Sequence, residues 1–503
     1  MSVQNRLSQW WRVPRMRADE ELDIERKATW LELFFDLVFV VFVAELAHSL
    51  GGDPSWSAVG GFVLMFLAMW WVWIGSTYYN DRYETDDLAH RIFTFLIMVS
   101  VAGMGFHIYG GLNEGTVGFA LSYVFARTIS IYLWWRAGKH NPPARTMTNR
   151  FVIGFSLSAV LWTISIFLPP PLRFYFWAAG LAFDILTPLT TVRAQAKLPA
   201  LTTSHLPERF GVFVILVLRE PIAGVIEGTH KASHYLTPVL IVDGFLGLLL
   251  AFLLWWIYFD QVADRRMRES IWARLLWGYL HMPLIFSITA IGAGLLYAYE
   301  VGRAPLPTPV YWLISGGVGL FLIASALIGW TFDRSRDEKE KTWLLDAADW
   351  ISAIAVLGLG WFAPNLSPMT FFALLLLLVA APVVLELLFV DPEFEQLSFV
   401  EVPTNVQDAA ASCSHKTEIR DVVPSSTGCD ECLQEGKWWV HLRICRTCGY
   451  VGCCDDSPGQ HATAHYHETG HPLIQSFEEH ENWLYCYVDE EVVGEMDKRW
   501  ASE

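Results

Sequence analysis

Windows of about 20 apolar residues, the length that carries an α-helix across roughly 30 Å of hydrocarbon, recur along the first 390 residues. In lipid every backbone N–H and C=O must be satisfied within the protein, so such a chain folds as a helix bundle or a closed barrel, and windows this long select helices. They fall near 30–50, 57–79, 90–110, 115–136, 150–168, 173–192, 209–228, 237–259, 273–299, 308–331, 343–363 and 368–390. The prediction is an all-α polytopic membrane protein with about 12 transmembrane helices. Asp346 and Asp349 make the start of the eleventh the least apolar.

Charge divides the chain in two. From residue 391 onward there are 22 Asp and Glu against 7 Lys and Arg, while the first 390 residues hold 30 against 28. All eight cysteines lie after residue 412. A neutral, cysteine-free apolar body is therefore followed by a small, acidic, Cys- and His-rich tail, and neither part has the basic footprint of a nucleic-acid binder. Residues 1–29 form a mixed-charge segment without the pattern of a cleavable signal peptide. Lys and Arg number 23 in that segment and alternate loops, against 3 in the intervening loops. By the positive-inside rule both termini are expected in the cytoplasm, with the protein in the cell (inner) membrane.

The body repeats itself. "FLAMWWVWIGSTYYNDRYETDDLAHRIFTFLIM" (66–98) reads like "FLLWWIYFDQVADRRMRESIWARLLWGYLH" (252–281), and Pro188 and Pro382 fall at matching places in the sixth and twelfth spans. Two parallel six-helix repeats, about 30–200 and 201–390, fit these pairs; transporters often place a site between such halves.

Each charge at bilayer depth costs several kcal/mol, so charges kept there mark pairing or function. The spans carry Glu32, Asp36, Glu45, Arg127, Asp184, Arg219, Glu220 and Asp243, and His48, His107 and His281 could join a proton relay. Glu32 and Asp36 are four apart and share a helix face. Two such carboxylates cannot both ionise freely; one holds a proton, or a cation or an arginine lies between them. Six carboxylates facing two arginines leave a surplus that suits a proton or cation pathway. The competing account is a set of salt bridges locking the bundle. Pro188, Pro221 and Pro283 lie within spans, where each frees a carbonyl for an ion or simply kinks a helix.

"TWLELFFDLVFVVFVAEL" and "ERFGVFVILVLREPI" resemble two signature blocks of the low-temperature-requirement A (LtrA) family of bacterial membrane proteins, a resemblance covering roughly residues 25–395. It implies a multi-spanning membrane protein linked by name to growth in the cold, with no biochemical activity to carry over. Arg219 stands where the family would have Gly.

After an acidic linker at 391–411, a compact domain is expected over 412–494. Cys429-x2-Cys432 and Cys445-x2-Cys448, followed by spaced histidines, form a strong zinc signal, since each pair clamps one edge of a tetrahedral site. Disulfides are disfavoured in a reducing cytoplasm. The pieces "CSH", "CDEC", "WVHLRICRTCGYVGC", "HATAHYHETGHPL" and "WLYCYV" are similar to the UBP-type zinc finger, a small α+β module that binds ubiquitin in many deubiquitinating enzymes. That resemblance implies one zinc on Cys429, Cys432, Cys453 and His465 and a second on Cys445, Cys448, His461 and His471. A third would take Cys413, His415 and Cys486, with Cys454 the candidate to complete it. Closed Cys/His sites are structural. Family members that bind ubiquitin place an arginine just after the position of Cys453 to grip a carboxylate, whereas this chain has Asp455 and Asp456. Ubiquitin is therefore not the expected ligand. Trp438, Trp439, Tyr485 and Tyr487 could line an aromatic pocket for another protein or peptide.

Two functions are compatible with these features. One is a proton- or cation-linked transporter or channel with a zinc-stabilised cytoplasmic domain. The other is a non-transporting scaffold, or a sensor of cold or membrane state, that recruits a partner through the finger. No nucleophile–base motif stands out, and an enzyme is not expected.

Overall fold

The computed structural model describes residues 11–16, 28–389 and 413–496, apart from 85–86, 109–114, 200–204, 233–237, 264, 266, 269, 303, 334–335, 436, 456, 479–480, 482 and 490. The chain forms two compact units, residues 1–389 and 390–503. The acidic stretch 391–411 lies outside the described residues.

The first unit is a helix bundle: α1 (Trp30–Gly52), α2 (Trp56–Arg82), α3 (Leu88–Phe106), α4 (Thr116–His140), α5 (Arg145–Ser165), α6 (Leu172–Thr190), α7 (His205–Val217), α8 (Arg219–Ala232), α9 (Pro238–Gln261), α10 (Ile271–Val301), α11 (Thr308–Gly329), α12 (Arg336–Phe362) and α13 (Pro368–Phe389). Ten helices among the described residues are long and apolar enough to cross a membrane. This count, by length and composition, leaves out the sixth and seventh of the twelve expected windows. The sixth window, α6, is diluted by Arg173, Tyr175 and Asp184, and the seventh is not one helix. It splits at Leu218, with Pro221 in the first turn of α8, where a missing N–H is tolerated. Helices α6 and α10 run through Pro188 and Pro283 without a break.

Short caps and close contacts set the bundle. Thr29 and Glu32 form a reciprocal capping box that starts α1, each binding the other's backbone N–H. Aromatic rings fill the middle: Trp73 stacks on Phe213 at 4.4 Å, and Phe210 meets Trp277 at 4.5 Å, joining α2, α7 and α10. Helices α8 and α10 touch backbone to backbone. A Cβ on Gly224 would lie 2.5 Å from the Gly292 carbonyl oxygen, and one on Gly228 would lie 2.7 Å from the Leu296 carbonyl oxygen. Gly224 and Gly228 are four apart, the small-xxx-small spacing that lets membrane helices approach.

The segment before α1 is pinned to α2–α4. Strand β1 (Arg15–Met16) pairs antiparallel with β2 (Tyr83–Glu84), Asn141 donates to the Pro14 carbonyl at 2.8 Å, and the Arg136 guanidinium lies 4.7 Å over the Trp11 ring.

The second unit is a five-stranded antiparallel sheet in the order β4–β3–β5–β6–β7, from β3 (Leu442–Cys445), β4 (Val451–Cys453), β5 (Leu473–Ser476), β6 (Trp483–Cys486) and β7 (Glu491–Glu495). Two short helices, α14 (Asp430–Glu435) and α15 (His461–Thr469), complete it. Its apolar clusters are small and include Cys429, Cys432, Cys453, Cys413 and Cys486 themselves. A domain with so little core needs a staple.

Overpacking costs about 1–3 kcal/mol, so Gly224→Leu or Gly228→Leu should lower the thermal midpoint of the detergent-solubilised protein. Gly60→Leu, at a position with open space around it, should leave the midpoint unchanged.

Candidate charge networks and metal centres

Helix α7 begins at His205, four residues before the expected start, and this brings two cations into the bundle. His205 and Arg209 are one turn apart on α7 and face Glu32 and Asp36, one turn apart on α1. Arg209 donates from Nη2 to Asp36 Oδ1 at 2.6 Å and from Nη1 to Glu32 Oε1 at 3.4 Å. The Trp73 indole donates to Asp36 Oδ1 at 2.8 Å. His205 sits between Glu32 Oε2 (3.3 Å) and Asp81 Oδ1 (3.0 Å). None of these five ionisable side chains is more than 4% exposed. A neutral imidazole donates from one nitrogen only, so both His205 contacts are hydrogen bonds when the ring is doubly protonated or one carboxyl carries the proton.

Of the arrangements open to Glu32 and Asp36, the structure adopts the one with arginine between them. The six-against-two count changes on both sides, since Arg209 and His205 lie inside and not in a loop, and Asp81 joins them as a further carboxylate. Arg219 pairs with Glu220 at 3.0 Å, and its side chain is 57% exposed.

A second network lies within α4–α6. Asp184 Oδ2 accepts from the Tyr123 hydroxyl and from Ser158 Oγ (2.7 Å), and it lies 3.3 Å from Arg127 Nη2. Arg127 also donates from Nε to Tyr123 at 2.9 Å, and its guanidinium covers the Phe155 ring at 4.8 Å. Arg127 and Asp184 are fully buried.

The remaining residues take other places. His281 contacts the Trp277 carbonyl (2.8 Å) and the Tyr258 hydroxyl (3.1 Å), and His107 contacts the Gly103 carbonyl (2.7 Å) at the end of α3. The main-chain carbonyl of Asp243 accepts the Tyr299 hydroxyl. Glu45, His48, Arg219 and Glu220, joined by Glu227, line a cleft of about 230 Å³ between α1, α8 and α10. His48 Nδ1 lies 3.5 Å from Glu227 Oε2.

In the tail, three groups of four donors each converge within 4.8 Å. The first is Cys429, Cys432, Cys453 and His461, with His461 Nδ1 3.1, 3.3 and 3.4 Å from the three sulfurs. The second is Cys445, Cys448, His465 and His471, with Cys448 Sγ 3.3 Å and His471 Nδ1 3.4 Å from His465 Nε2. A tetrahedral zinc, with bonds of about 2.0–2.3 Å, separates its ligands by roughly 3.3–3.8 Å. Both the donor sets and their spacings fit zinc.

The two helix histidines thus exchange the places expected from the resemblance. His461 opens α15 directly after the β4 side of the sheet and stays with Cys453, while His465 is one turn further on, stacked on Tyr450 at 4.2 Å. The third group is Cys413, His415, Cys486 and Asp489, with His415 Nδ1 3.5 Å from Cys486 Sγ and 3.2 Å from Asp489 Oδ2. Asp489 takes the fourth place, which the cysteine pattern did not point to; Cys454 contacts Ser457 instead.

Burial pushes the Cys432 thiol up to about 12 and those of Cys445 and Cys486 to about 11. Only a bound cation offsets that cost and makes them thiolates at neutral pH.

The four aromatics are dispersed. Trp438 is 64% exposed, Trp439 packs on the first metal group, and Tyr487 stacks on Tyr466 at 4.6 Å with Tyr485 edge-on. Asp455 accepts from Thr463 on α15, and Asp456 lies outside the described residues.

Removing one partner from a buried charge cluster costs about 3–5 kcal/mol. Arg209→Met should abolish recovery of monodisperse protein, and adding Glu32→Gln with Asp36→Asn should restore part of it by size-exclusion chromatography. For the metal groups, the double variant Cys429→Ala/His461→Ala should lose one zinc equivalent by elemental analysis. Cys429→Ala/His465→Ala should lose two.

Comparison with known proteins agrees with this architecture. The family described as "Bacterial low temperature requirement A protein (LtrA)" matches residues 27–388, and "Zn-finger in ubiquitin-hydrolases and other protein" matches residues 429–498. An uncharacterized protein of Rhizobium meliloti (strain 1021) is 30% identical over 317 residues, covering 58% of this chain and 76% of its own. An NAD-dependent deacetylase of Dictyostelium discoideum is 36% identical over 81 residues, only 16% of this chain and 15% of its own. A Rhodopseudomonas palustris protein solved by solution NMR is 60% identical, covering 16% of this chain and 79% of its own, with a TM-score of 0.16. With the match spanning most of its length, this chain belongs to the bacterial low temperature requirement A family of membrane proteins and carries a zinc finger at its C-terminal end.

Proposed function

We propose that this protein is a non-transporting, membrane-embedded scaffold or sensor that presents a zinc-knit module to a cytoplasmic protein or peptide. The observation that carries this reading is the burial of Glu32, Asp36 and Asp184 beside arginines. Each is at most 4% exposed and held by Arg209 or Arg127. Charges matched in this way lock helices together, and the conduction pathway that an acidic surplus would require loses its main support.

The lysine and arginine bias places both termini in the cytoplasm and the body in the inner membrane. The finger holds three ions, two closed by Cys and His and a third by Cys413, His415, Cys486 and Asp489. The exposed Trp438 is its contact residue, and the acidic Asp455 turns the partner away from ubiquitin's carboxylate tail and from nucleic acid. The roles assigned to the zinc groups are structural, and the protein is not an enzyme.

A photo-crosslinking amino acid placed at position 438 of the full-length protein in cells is expected to give a discrete adduct with a cytoplasmic protein. The same probe at position 60, on a membrane helix, should not give it. Proteoliposomes should show no proton or cation flux above lipid alone. A flux abolished by Glu220→Gln would overturn this reading and favour ion-linked transport, the reading to which the cleft beside Glu220 lends support.

A further inference from the structure

The cleft between α1, α8 and α10 differs from both buried networks in being open. Its rim residues His48 and Glu227 are 49% and 45% exposed, while Glu220 at its base is 6% exposed. The base is rigid main chain: a Cβ on Gly292 would lie 2.8 Å from Glu220 Cβ, and Gly224 abuts the Gly292 carbonyl. Ala44, Ala47, Ala223 and Leu296 make the rest of the wall small and apolar. The cavity of about 230 Å³ is many times the minimum needed for one water and admits a small organic ion.

Three features define the occupant. Glu45, Glu220 and Glu227 outnumber Arg219 and His48, so the cleft is net negative when its three carboxyls are ionised, which selects a cation. The carboxylates are spread around the cavity, and the convergent metal-type donor groups among the described residues all lie in the tail. A bare metal ion, which needs several donors at ~2–2.6 Å, is poorly served. Among the described residues no Phe, Tyr or Trp ring lines the cleft, so the cage that recognises quaternary ammonium is missing. A primary ammonium offers three N–H donors to separated carboxylates and a short hydrocarbon stem to the alanine wall.

The geometry points to a binding site for a small primary organic ammonium in this cleft, independent of whatever partner the tail recruits. The cleft lies toward the C-terminal end of α1, opposite the capped end that carries Glu32. With the N-terminus cytoplasmic, it faces the outside and gives the scaffold an external input.

The test uses the full-length protein in detergent at pH 7, with butylammonium chloride as probe and sodium or tetramethylammonium chloride at equal ionic strength as controls. Calorimetry should show saturable binding of butylammonium, weakened at least tenfold in Glu220→Gln and in Glu227→Gln. Glu227 is half exposed, so its variant should keep the wild-type thermal midpoint without ligand, separating lost binding from lost folding. Saturation absent, equal binding of tetramethylammonium, or affinity unchanged in the Glu227 variant would each overturn the assignment. Flux measured on the same preparation decides separately between scaffold and transporter.

Discussion

Two carboxylates one helical turn apart in an apolar helix need a cation within reach, and Arg209 supplies it. Much of the bundle's middle can be followed outward from that contact. For Arg209 to reach α1, α7 starts at His205 and runs beside it in the same direction, with His205 at Glu32 and Arg209 at Asp36. The Trp73 indole then adds to the Asp36 oxygen and stacks on Phe213 of α7. The following helix restarts after Leu218, which puts Pro221 in a first turn, where its missing N–H is tolerated. That restart aims Gly224 and Gly228 at α10. Electrostatics, backbone breakage and close packing thus meet within about twenty residues.

Burial separates the body's ionisable groups into two kinds. Glu32, Asp36, Asp81 and Asp184 are buried, and each finds an arginine, histidine, tyrosine or tryptophan at hydrogen-bond distance. In a low dielectric such matching is obligatory, because an unpaired charge would cost more than a mobile one could offset. Around Glu220 and Glu227 the chain leaves an opening, and there the charges need not balance among themselves. The same residue types therefore mean different things a few turns apart.

The tail solves a different problem. Its apolar clusters are a handful of residues, several of them the ligand cysteines. Burying thiols without metal raises their proton affinity, so folding and metal binding favour each other. The β3–β4 turn carries Cys445 and Cys448, the start of α14 carries Cys429 and Cys432, and α15 distributes its histidines by helical phase. Residues 461 and 465 differ by a full turn and fall in different donor groups.

Much of this was legible in the amino-acid order. Apolar window length dictated a membrane helix bundle, cysteine pairing dictated a metal-stapled tail, and the split in charge separated the two. Glu32 and Asp36 also announced the need for a counter-charge, since their spacing is local. Local patterns could not say which arginine answers them, because Arg209 lies 173 residues from Asp36 and the start of its helix was misjudged by one turn. The repeated pairing of His205 with Arg209 and of Glu32 with Asp36, both at four-residue spacing, was the available signal. Likewise the exchange of His461 and His465, the arrival of Asp489 beside Cys486, and the opening that unites Glu45 with Glu227 depend on distances between elements remote in sequence. Hydropathy and ligand spacing are properties of single segments, whereas charge matching and cavity shape exist only after segments meet.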